Sequence, residues 1–224
     1  MPKKVHTMSR DTVYMIGAGD HAKVVMTTLE ACDIRCAGIY DDNENLWGKE
    51  LWCVPILGPV SAMPDNPDTM AVIAIGANNV RKEISKKFSN ICWPVIVHPS
   101  ANVHSSVRLG PGAIIFAGTI IKADTVIGAH SIINASVLID HDCRIGNYCH
   151  ILPRACIADG VSVGDGSFIG IGSVVIPHTL IAEDVTVGAG STVIRNLEAN
   201  GTYVGTPARR ISRPAISNAE EWIS

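Results

Sequence analysis

An apolar residue recurs at every sixth position through the second half of the chain. The series runs from Val97 to Val193, and all 17 of its positions hold Ile, Leu or Val. A second register lies four residues after each of these positions, where small or β-branched residues such as Ala113 and Thr125 recur. A period of six fits neither an α-helix nor the alternation of an ordinary strand. The pattern therefore predicts a repeating coil over residues 97–197.

A hexad of this kind fits one flat side and one corner of a triangular coil. The apolar residue points into the coil, the small residue fills the corner, and three hexads close one turn. Successive turns then stack as parallel strands about 4.8 Å apart, and 17 hexads predict between five and six turns. A β-sandwich would instead show turn signals every 8–12 residues and alternating polarity.

The hexad series resembles the hexapeptide-repeat acyltransferases, whose fold is a left-handed parallel β-helix. The handedness follows from this resemblance, because the period alone does not determine it. We therefore expect a left-handed β-helix of hexapeptide repeats over residues 97–197, followed by a C-terminal segment, residues 198–224, that contains the sequence GTPAR.

The residues before the hexads predict a small Rossmann-like α/β domain over 12–96, preceded by a basic tail, residues 1–11. Its first strand and first helix are joined by the turn GAGDH. Such a turn allows backbone N–H groups to approach a phosphate. The full G-x-G-x-x-G fingerprint is absent, so a plain strand-to-helix turn is an equal alternative. The predicted elements are strands at 12–16, 34–40 and 70–75 and helices at 22–31 and 78–88.

Composition and charge exclude several classes of function. The net charge is −3 and the pI is near 6.2, which do not predict binding to nucleic acid or to an anionic membrane. No apolar run approaches the roughly 20 residues of a membrane span, and the start lacks the apolar segment of a signal peptide. Seven cysteines without a CxxC pair favour reduced thiols over disulfides or a zinc site. The expected compartment is the cytoplasm.

The turn GAGDHAKVV, the carboxylate pair that follows, the segment AIGANNVRKEI and the hexads together cover nearly the whole chain. In combination they resemble the sugar N-acetyltransferases that make bacillosamine, perosamine and related 4-amino sugars. Sialic acid O-acetyltransferases share this layout. The residues implied to contact a nucleotide-linked sugar are Gly19, Asp20 and His21 at the phosphates, and Asp41, Asp42 and Gly76 at the base and ribose.

One of these residues departs from the family pattern. Asp20 lies where relatives usually carry Gly, and a carboxylate beside a pyrophosphate would be repelled. The Asp20 side chain is therefore expected to turn away from the phosphates, or the contact is lost. The Asp41–Asp42 pair has a structural alternative as well, since it could be a solvated strand end.

Forming an amide from a thioester requires a base for the attacking amine, and histidine is the usual one because its pKa lies near neutrality. His141 is the one histidine of eight that is followed directly by a carboxylate, that of Asp142. In the hexad phase both residues fall at a corner, where the carboxylate can orient the imidazole and raise its basicity. The pattern itself leaves catalytic and structural interpretations equal. The family's His–Asp/Glu pair falls at this position, which implies that His141 is the general base.

The resemblance also implies where acetyl-CoA binds. Residues 18 apart stack on one edge of the coil, so a long cofactor would lie parallel to the coil axis. The implied contacts are His150 at the thioester, Ile171 and Ala189 along the edge, Arg209 at a CoA phosphate, and Asn134 at the sugar. Asn134 could instead belong to a side-chain ladder, and Arg209 could be a solvated charge.

The cysteines and the metal-site patterns argue against other mechanisms. Cys143 and Cys149 have an inward corner phase, and Cys156 is also assigned an inward or corner phase, so direct attack without an acyl-enzyme is expected. Zinc enzymes of this fold pair histidines as H-x4-H, whereas position 146 is Gly, so no metal is expected. Flat sides favour cyclic closure of three copies, and we expect a homotrimer with active sites between subunits.

The residues and the resemblance are compatible with three functions. The first is N-acetylation of the 4-amino group of a nucleotide-linked 4-amino-4,6-dideoxy sugar, of the GDP-perosamine or UDP-bacillosamine-precursor type. The second is O-acetylation of a sialic acid, and the third is a non-catalytic β-helix binding module. The identity of the nucleobase and of the sugar does not follow from the residues.

Overall fold

The computed structural model describes residues 12–212, which form an α/β domain followed by a triangular coil. The elements of the α/β domain are β1 Thr12–Ile16, α1 Asp20–Ala31, β2 Arg35–Tyr40, β3 Glu50–Leu51, β4 Val54–Gly58, β5 Ala71–Ile73 and α2 Asn78–Lys87. The strand order is β3-β4-β2-β1-β5, and all neighbours are parallel except the β3–β4 hairpin. The predicted strands and helices are confirmed with ends shifted by one or two residues, and the hairpin is an addition.

The alternation of apolar side chains in β1 covers both faces of this sheet. Val13 and Met15 pack with α1 through Val25 and Leu29. Ile16 points to the other face, in a cluster that includes Ile84 of α2. Because each helix buries one face, the carboxyl ends of the parallel strands are left open at one edge.

The coil contains seventeen two-residue strands, one for each predicted hexad, and all pair in parallel with the strand 18 residues away. In each strand the second residue points into the core, as Ile139 and Ile157 do, and the first points outward. The strands are β6 Ile96–Val97, β7 Asn102–Val103, β8 Arg108–Leu109, β9 Ile114–Ile115, β10 Ile120–Ile121, β11 Val126–Ile127, β12 Ile132–Ile133, β13 Leu138–Ile139, β14 Arg144–Ile145, β15 His150–Ile151, β16 Cys156–Ile157, β17 Ser162–Val163, β18 Phe168–Ile169, β19 Val174–Val175, β20 Leu180–Ile181, β21 Thr186–Val187 and β22 Thr192–Val193.

The strands form three sheets, which we name by the order in which the chain visits them. Face A contains β6, β9, β12, β15, β18 and β21; face B contains β7 and every third strand to β22; face C contains β8 and every third strand to β20. Face A continues beyond residue 197 through the hairpin of β23, Thr202–Val204, and β24, Arg209–Ile211. The first four residues of the GTPAR sequence thus form the turn of this hairpin, and Arg209 begins β24.

A third register sets the corners of the coil. From Gly112 to Gly190, every sixth residue has a positive φ, including Asp124 at 59° and Asp142 at 59°. The left-handed region is open to Gly and is several-fold enriched in Asp, Asn and His among other residues. Each corner from Gly112 to Gly190 therefore turns on one left-handed residue, three positions after the inward-pointing residue.

The α/β domain packs on face A. The outward residues Ile96, Ile114 and Ile132 are buried and join the cluster of β1 and α1. The edges of the coil take the names of their flanking faces, and α2 lies along the C/A edge, where its Asn78 donates to the carbonyls of Gly166 and Ser167. No helix within residues 12–212 is long and apolar enough to cross a membrane.

Candidate active site

The histidine–carboxylate pair predicted from the sequence is formed at the B/C edge. His141 Nδ1 lies 2.7 Å from Oδ2 of Asp142. Adjacent side chains of an extended strand point apart, but the left-handed backbone of Asp142 brings its carboxylate back to the imidazole. Both side chains are more than half exposed, so the pair is open to a ligand.

Further carboxylates surround this pair on the same edge. Asp140 accepts a hydrogen bond from the backbone N–H of His141 at 2.7 Å, and Lys122 binds it at 3.2 Å. The hydrogen bond to Asp142, followed by the negative charges of Asp140 and Asp159, raises the pKa of His141. The imidazole is therefore a stronger proton acceptor than a free histidine.

A second cluster lies between face A and the α/β domain. His150 projects outward from β15, but the α/β domain covers it, and only 4% of it is exposed. Its Nδ1 lies 3.1 Å from the carbonyl oxygen of Gly76, and its Nε2 lies 3.2 Å from Nδ2 of Asn134. A carbonyl only accepts and an amide NH₂ only donates, so the imidazole carries its proton on Nδ1.

Both polar atoms of the Asn134 amide group form hydrogen bonds. Its Oδ1 accepts the N–H of Ala135 at 2.8 Å, which leaves Nδ2 to donate to His150. Asn134 follows β12 and lies beside the A/B edge. The side chain thus takes part in a specific chain of hydrogen bonds, and the alternative of a repeating ladder along the coil is not what the structure shows.

His21 begins the same cluster at the first turn of α1. Its ring contacts Phe116 and His150, with centroids 5.7 Å apart in each case. Its Nε2 is buried and has no hydrogen-bond partner within residues 12–212. Burial and the charge of Arg81 lower the pKa of His21 to about 4, so the ring is neutral at physiological pH.

Arg81 of α2 is a buried residue that the sequence did not identify. Its guanidinium makes six hydrogen bonds, at 2.8 to 3.1 Å, and is 1% exposed. Burial lowers its pKa to about 9, so it remains charged at neutral pH. The acceptors are the carbonyl oxygens of Ile75, Gly76, His130, Tyr148 and Cys149 and Oδ1 of Asn78.

The predicted nucleotide residues divide between a cleft and the domain interface. A cleft of about 360 Å³ lies at the carboxyl ends of the parallel strands and is lined by Asp41, Asp42 and residues of α2. Asp41 accepts from the backbone N–H groups of Ala18 and Asn43, and Asp42 from that of Val60. Both carboxylates therefore hold loops and are not simply solvated strand ends. Gly76 is not among the lining residues, since it packs against His150 at the domain interface.

The strand-to-helix turn has two glycines with different constraints. Gly17 has a φ of 100°, and a Cβ there would lie 2.7 Å from Ile75 Cγ1, so the fold requires glycine. Gly19 has a φ of −76° and its Cβ position faces open space. No side chain caps α1 at this end. The Asp20 carboxylate is exposed and lies 3.3 Å from Lys23.

The predicted cofactor edge is the A/B edge. Ile169 pairs with Val187, 18 residues later, and the N–H of Gly190 donates to the carbonyl of Ile171, so Ala189 stacks on Ile171 as expected. Ile171 is 49% exposed, and Ala189 is exposed above it. Arg209 is exposed on β24 and donates to the carbonyl of Ala208. His141 lies on a different edge, separated from the A/B edge by the whole of face B.

The cysteines follow their predicted phase with one exception. Cys143 and Cys149 are fully buried in the coil, and burial raises their pKa values to about 11 and 12. The assignment of Cys156 to an inward or corner phase was wrong. It is the first, outward residue of β16 and is half-buried on face B, because only the second residue of each strand faces the core. All seven cysteines are free, and no cluster within residues 12–212 has the composition of a metal site.

Comparison with known proteins gives matches to both domains. Residues 12–88 match the PglD N-terminal domain, and residues 160–195 match the bacterial transferase hexapeptide family. UDP-N-acetylbacillosamine N-acetyltransferase of Bacillus subtilis is 39% identical over 108 residues, which are 46% of this chain and 50% of that protein. The chain thus spans about half the length of this curated relative.

Two solved structures match over almost their entire length. Perosamine N-acetyltransferase from Caulobacter crescentus, a histidine-to-asparagine variant in complex with CoA and GDP-perosamine, is 36% identical with a TM-score of 0.83; the match covers 92% of this chain and 99% of that chain. The acetyltransferase domain of PglB from Neisseria gonorrhoeae, in complex with acetyl coenzyme A, is 27% identical with a TM-score of 0.83 over 91% and 100%. The chain therefore belongs to the sugar N-acetyltransferases, acyltransferases built from a PglD N-terminal domain and a hexapeptide-repeat coil.

Proposed function

We propose that the protein transfers the acetyl group of acetyl-CoA to the 4-amino group of a nucleotide-linked 4-amino-4,6-dideoxy sugar. The observation that carries the proposal is the exposed His141–Asp142 pair, held by a 2.7 Å hydrogen bond on an open edge of the coil. The names of the relatives, which act on perosamine and bacillosamine derivatives, support an amino-sugar acceptor. The free cysteines support a reducing compartment, the cytoplasm.

The chemistry is direct attack of the amine on the thioester carbonyl. The carbon–nitrogen bond forms, the carbon–sulfur bond breaks, and the amine loses one proton. Nδ1 of His141 donates to Asp142, so Nε2 is left to accept that proton and return it to the departing thiolate. Asp142 stabilises the imidazolium that forms in between. No cysteine is assigned to the transfer, because Cys143 and Cys149 are buried with raised pKa values and Cys156 lies on face B, away from the B/C edge.

The nucleotide is proposed to bind at the α/β domain. Backbone N–H groups at the uncapped start of α1, beside Gly19 and His21, suit the phosphates. A Cβ atom added at position 19 would have no protein atom within 4 Å. The space beside this turn is therefore large enough for part of a ligand. The exposed Asp20 side chain, near Lys23, is consistent with a carboxylate kept away from a pyrophosphate.

The remaining contacts are assigned to the cleft, to the cluster between face A and the α/β domain, and to the A/B edge. Asp41 and Asp42 line the cleft proposed for base and ribose. Gly76 lies outside its lining, so its proposed contribution runs through its carbonyl. Asn134 is proposed to face the sugar from beside the A/B edge. His150 is covered on face A, so its proposed contribution at the thioester runs through its hydrogen bond to Asn134. Ile171, Ala189 and Arg209 are proposed to hold acetyl-CoA along that edge.

A homotrimer is proposed because it completes this site. Face B carries an outward apolar row that includes Ile120 and Val174, which are 41% and 43% exposed. If face B points toward a three-fold axis, the A/B edge of each copy meets the B/C edge of the next. His141 of one subunit would then face the cofactor edge of its neighbour, at Ile171 and Ala189. A single chain keeps these edges apart.

Replacing Asp142 with asparagine should move the acid limb of the kcat/KM profile to lower pH. The carboxylate raises the pKa of His141, so its removal lowers that pKa and the imidazole stays unprotonated further into acid. Asparagine also tolerates the left-handed backbone at this position. Turnover should fall less than on loss of His141. An acid limb that stays in place would show that this pair does not set the pH dependence.

The reaction itself is tested by measuring thiol release from acetyl-CoA with a panel of acceptors. The panel contains GDP-, UDP- and dTDP-linked 4-amino sugars, each with its 4-hydroxy counterpart as the matched control, and free sialic acid. We expect release only with a 4-amino acceptor, because the hydroxyl counterpart offers a weaker nucleophile in the same position.

Two outcomes would contradict the proposal. Release with sialic acid alone would assign O-acetylation. Binding of a nucleotide sugar by calorimetry, with no thiol release from any acceptor, would assign a binding module. The nucleotide that supports the highest kcat/KM identifies the base.

A further inference from the structure

Arg81 is a buried cation without an anionic partner. Within residues 12–212 its guanidinium forms no ion pair, and five of its six hydrogen-bond acceptors are backbone carbonyls. Burying a charge is costly, and apolar side chains of similar volume often stabilise a fold as well or better. Joining two domains therefore does not by itself account for an arginine at this place.

One of the acceptors connects Arg81 to the candidate site. The carbonyl oxygen of Gly76 accepts from Nη1 of Arg81 at 2.8 Å and from Nδ1 of His150 at 3.1 Å. The guanidinium also binds the carbonyls of Tyr148 and Cys149, directly before His150 in the chain. The same planar group thus fixes both the acceptor of the imidazole proton and the backbone that carries the imidazole.

The hydrogen-bond chain continues to the residue beside the A/B edge. With its proton on Nδ1, His150 has an unprotonated Nε2 that accepts from Nδ2 of Asn134. If the proton moved to Nε2, that nitrogen would face the NH₂ group of Asn134, and the amide would have to rotate away from Ala135. The tautomer of His150 therefore determines how the Asn134 amide is oriented.

We propose that Arg81 is a positioning residue that, through the Gly76 carbonyl, holds His150 as the Nδ1-protonated tautomer and thereby orients the Asn134 amide toward the acceptor sugar. The inference rests on the proposed function, because that function assigns the sugar and thioester contacts to Asn134 and His150. The positive charge acts in the same direction, since it adds to burial in lowering the pKa of His150 and so keeps the ring neutral.

The test is ¹⁵N NMR of the full-length protein labelled at histidine, combined with steady-state kinetics. In the unsubstituted protein, His150 should show a protonated Nδ1 and a bare Nε2 between pH 6 and 8. Arg81→Lys keeps the positive charge but loses the planar guanidinium and its several N–H donors. We therefore expect a mixture of His150 tautomers and a drop of about tenfold in kcat/KM for the nucleotide sugar. The pKa of His141 should not change.

Asn78→Ala is the matched control. It removes two hydrogen bonds from the same helix to the same edge, and one acceptor of Arg81, but leaves the Gly76 carbonyl in place. It should lower the melting temperature while His150 keeps its tautomer. Similar loss of the tautomer in Asn78→Ala and Arg81→Lys would reduce Arg81 to a structural role.

Two results would overturn the inference. One is a His150 ring protonated on Nε2 in the unsubstituted protein, a measurement that does not depend on whether any variant folds. The other is an unchanged tautomer and unchanged kcat/KM in Arg81→Lys. The NMR measurement needs no turnover, so failure of the thiol-release assay would remove the proposed function and leave the assignment of the tautomer to be decided separately.

Discussion

Replacing His141 with asparagine should lower the turnover number by about 10² or more, the usual scale for loss of a general base. Asparagine keeps the polarity and much of the volume of the side chain but cannot accept the amine proton at neutral pH. The exposed position of His141 means that the fold should be unaffected. Thiol release under saturating substrates measures the effect, and the melting temperature should stay within about 1 °C.

His104 supplies the matched control for this substitution. It lies two turns away on the same B/C edge, and its Nδ1 is 2.9 Å from Oγ of Ser106, without a carboxylate. His104→Asn should leave turnover unchanged. If His141→Asn retained near-normal turnover, or if both variants lost it equally, the assignment of the base to His141 would be wrong.

Mixed assemblies should recover activity from two inactive subunits. One subunit carries His141→Asn, and the other carries Ala189→Trp, which places a bulky side chain on the exposed A/B edge proposed for acetyl-CoA. If each site takes His141 from one chain and the A/B edge from the next, one type of interface contains neither defect. In every mixed trimer one of the three interfaces contains neither defect, so about a third of its sites are intact. The expected result for purified mixed assemblies is therefore about a third of the unsubstituted activity.

The experiment is done by co-expression with two affinity tags and sequential purification, so that only mixed assemblies are measured. Assemblies of each variant alone provide the baseline. No recovery in mixed assemblies would place both halves of the site in one chain. A fully active monomer by light scattering would also exclude a site shared between subunits.

The coil could be predicted almost completely because each hexad repeats one environment. The series from Val97 to Val193 places one residue per strand in the core, and every one of those strands is present. The corner that joins His141 to Asp142 could be located for the same reason. The left-handed register from Gly112 to Gly190 was not predicted. Gly, Asp and Ser occupy ten of its 14 positions, and His, Tyr and Arg occupy the other four.

The β3–β4 hairpin could not be predicted from turn chemistry. Its two turn residues, Trp52 and Cys53, both have positive φ, at 49° and 64°. Two-residue hairpins of this kind normally carry Asn-Gly or Asp-Gly. Because β3 has only two residues, neither its length nor its turn gives the usual signal.

The cluster around Arg81 depends on contacts that lie far apart in the sequence. Its acceptors His130 and Cys149 are 49 and 68 residues away. An arginine in a helix rich in lysine is usually a solvated residue, and nothing in the local pattern indicates that its guanidinium is buried. For the same reason, the α/β domain that covers His150 could not be predicted from the sequence around this histidine.

The fold of the coil depends only on the six-residue repeat. The edge on which a functional residue lies depends also on how many hexads precede it. An insertion of 18 residues would add one complete turn and return each later residue to its own edge. An insertion of six would preserve every inward, corner and small position, and the hydrophobic pattern would be unbroken. It would nevertheless rotate all later residues by one third of a turn. His141 would then move from the open B/C edge to the C/A edge, beneath α2. His141 therefore stays on the B/C edge only if the number of hexads before it changes in multiples of three.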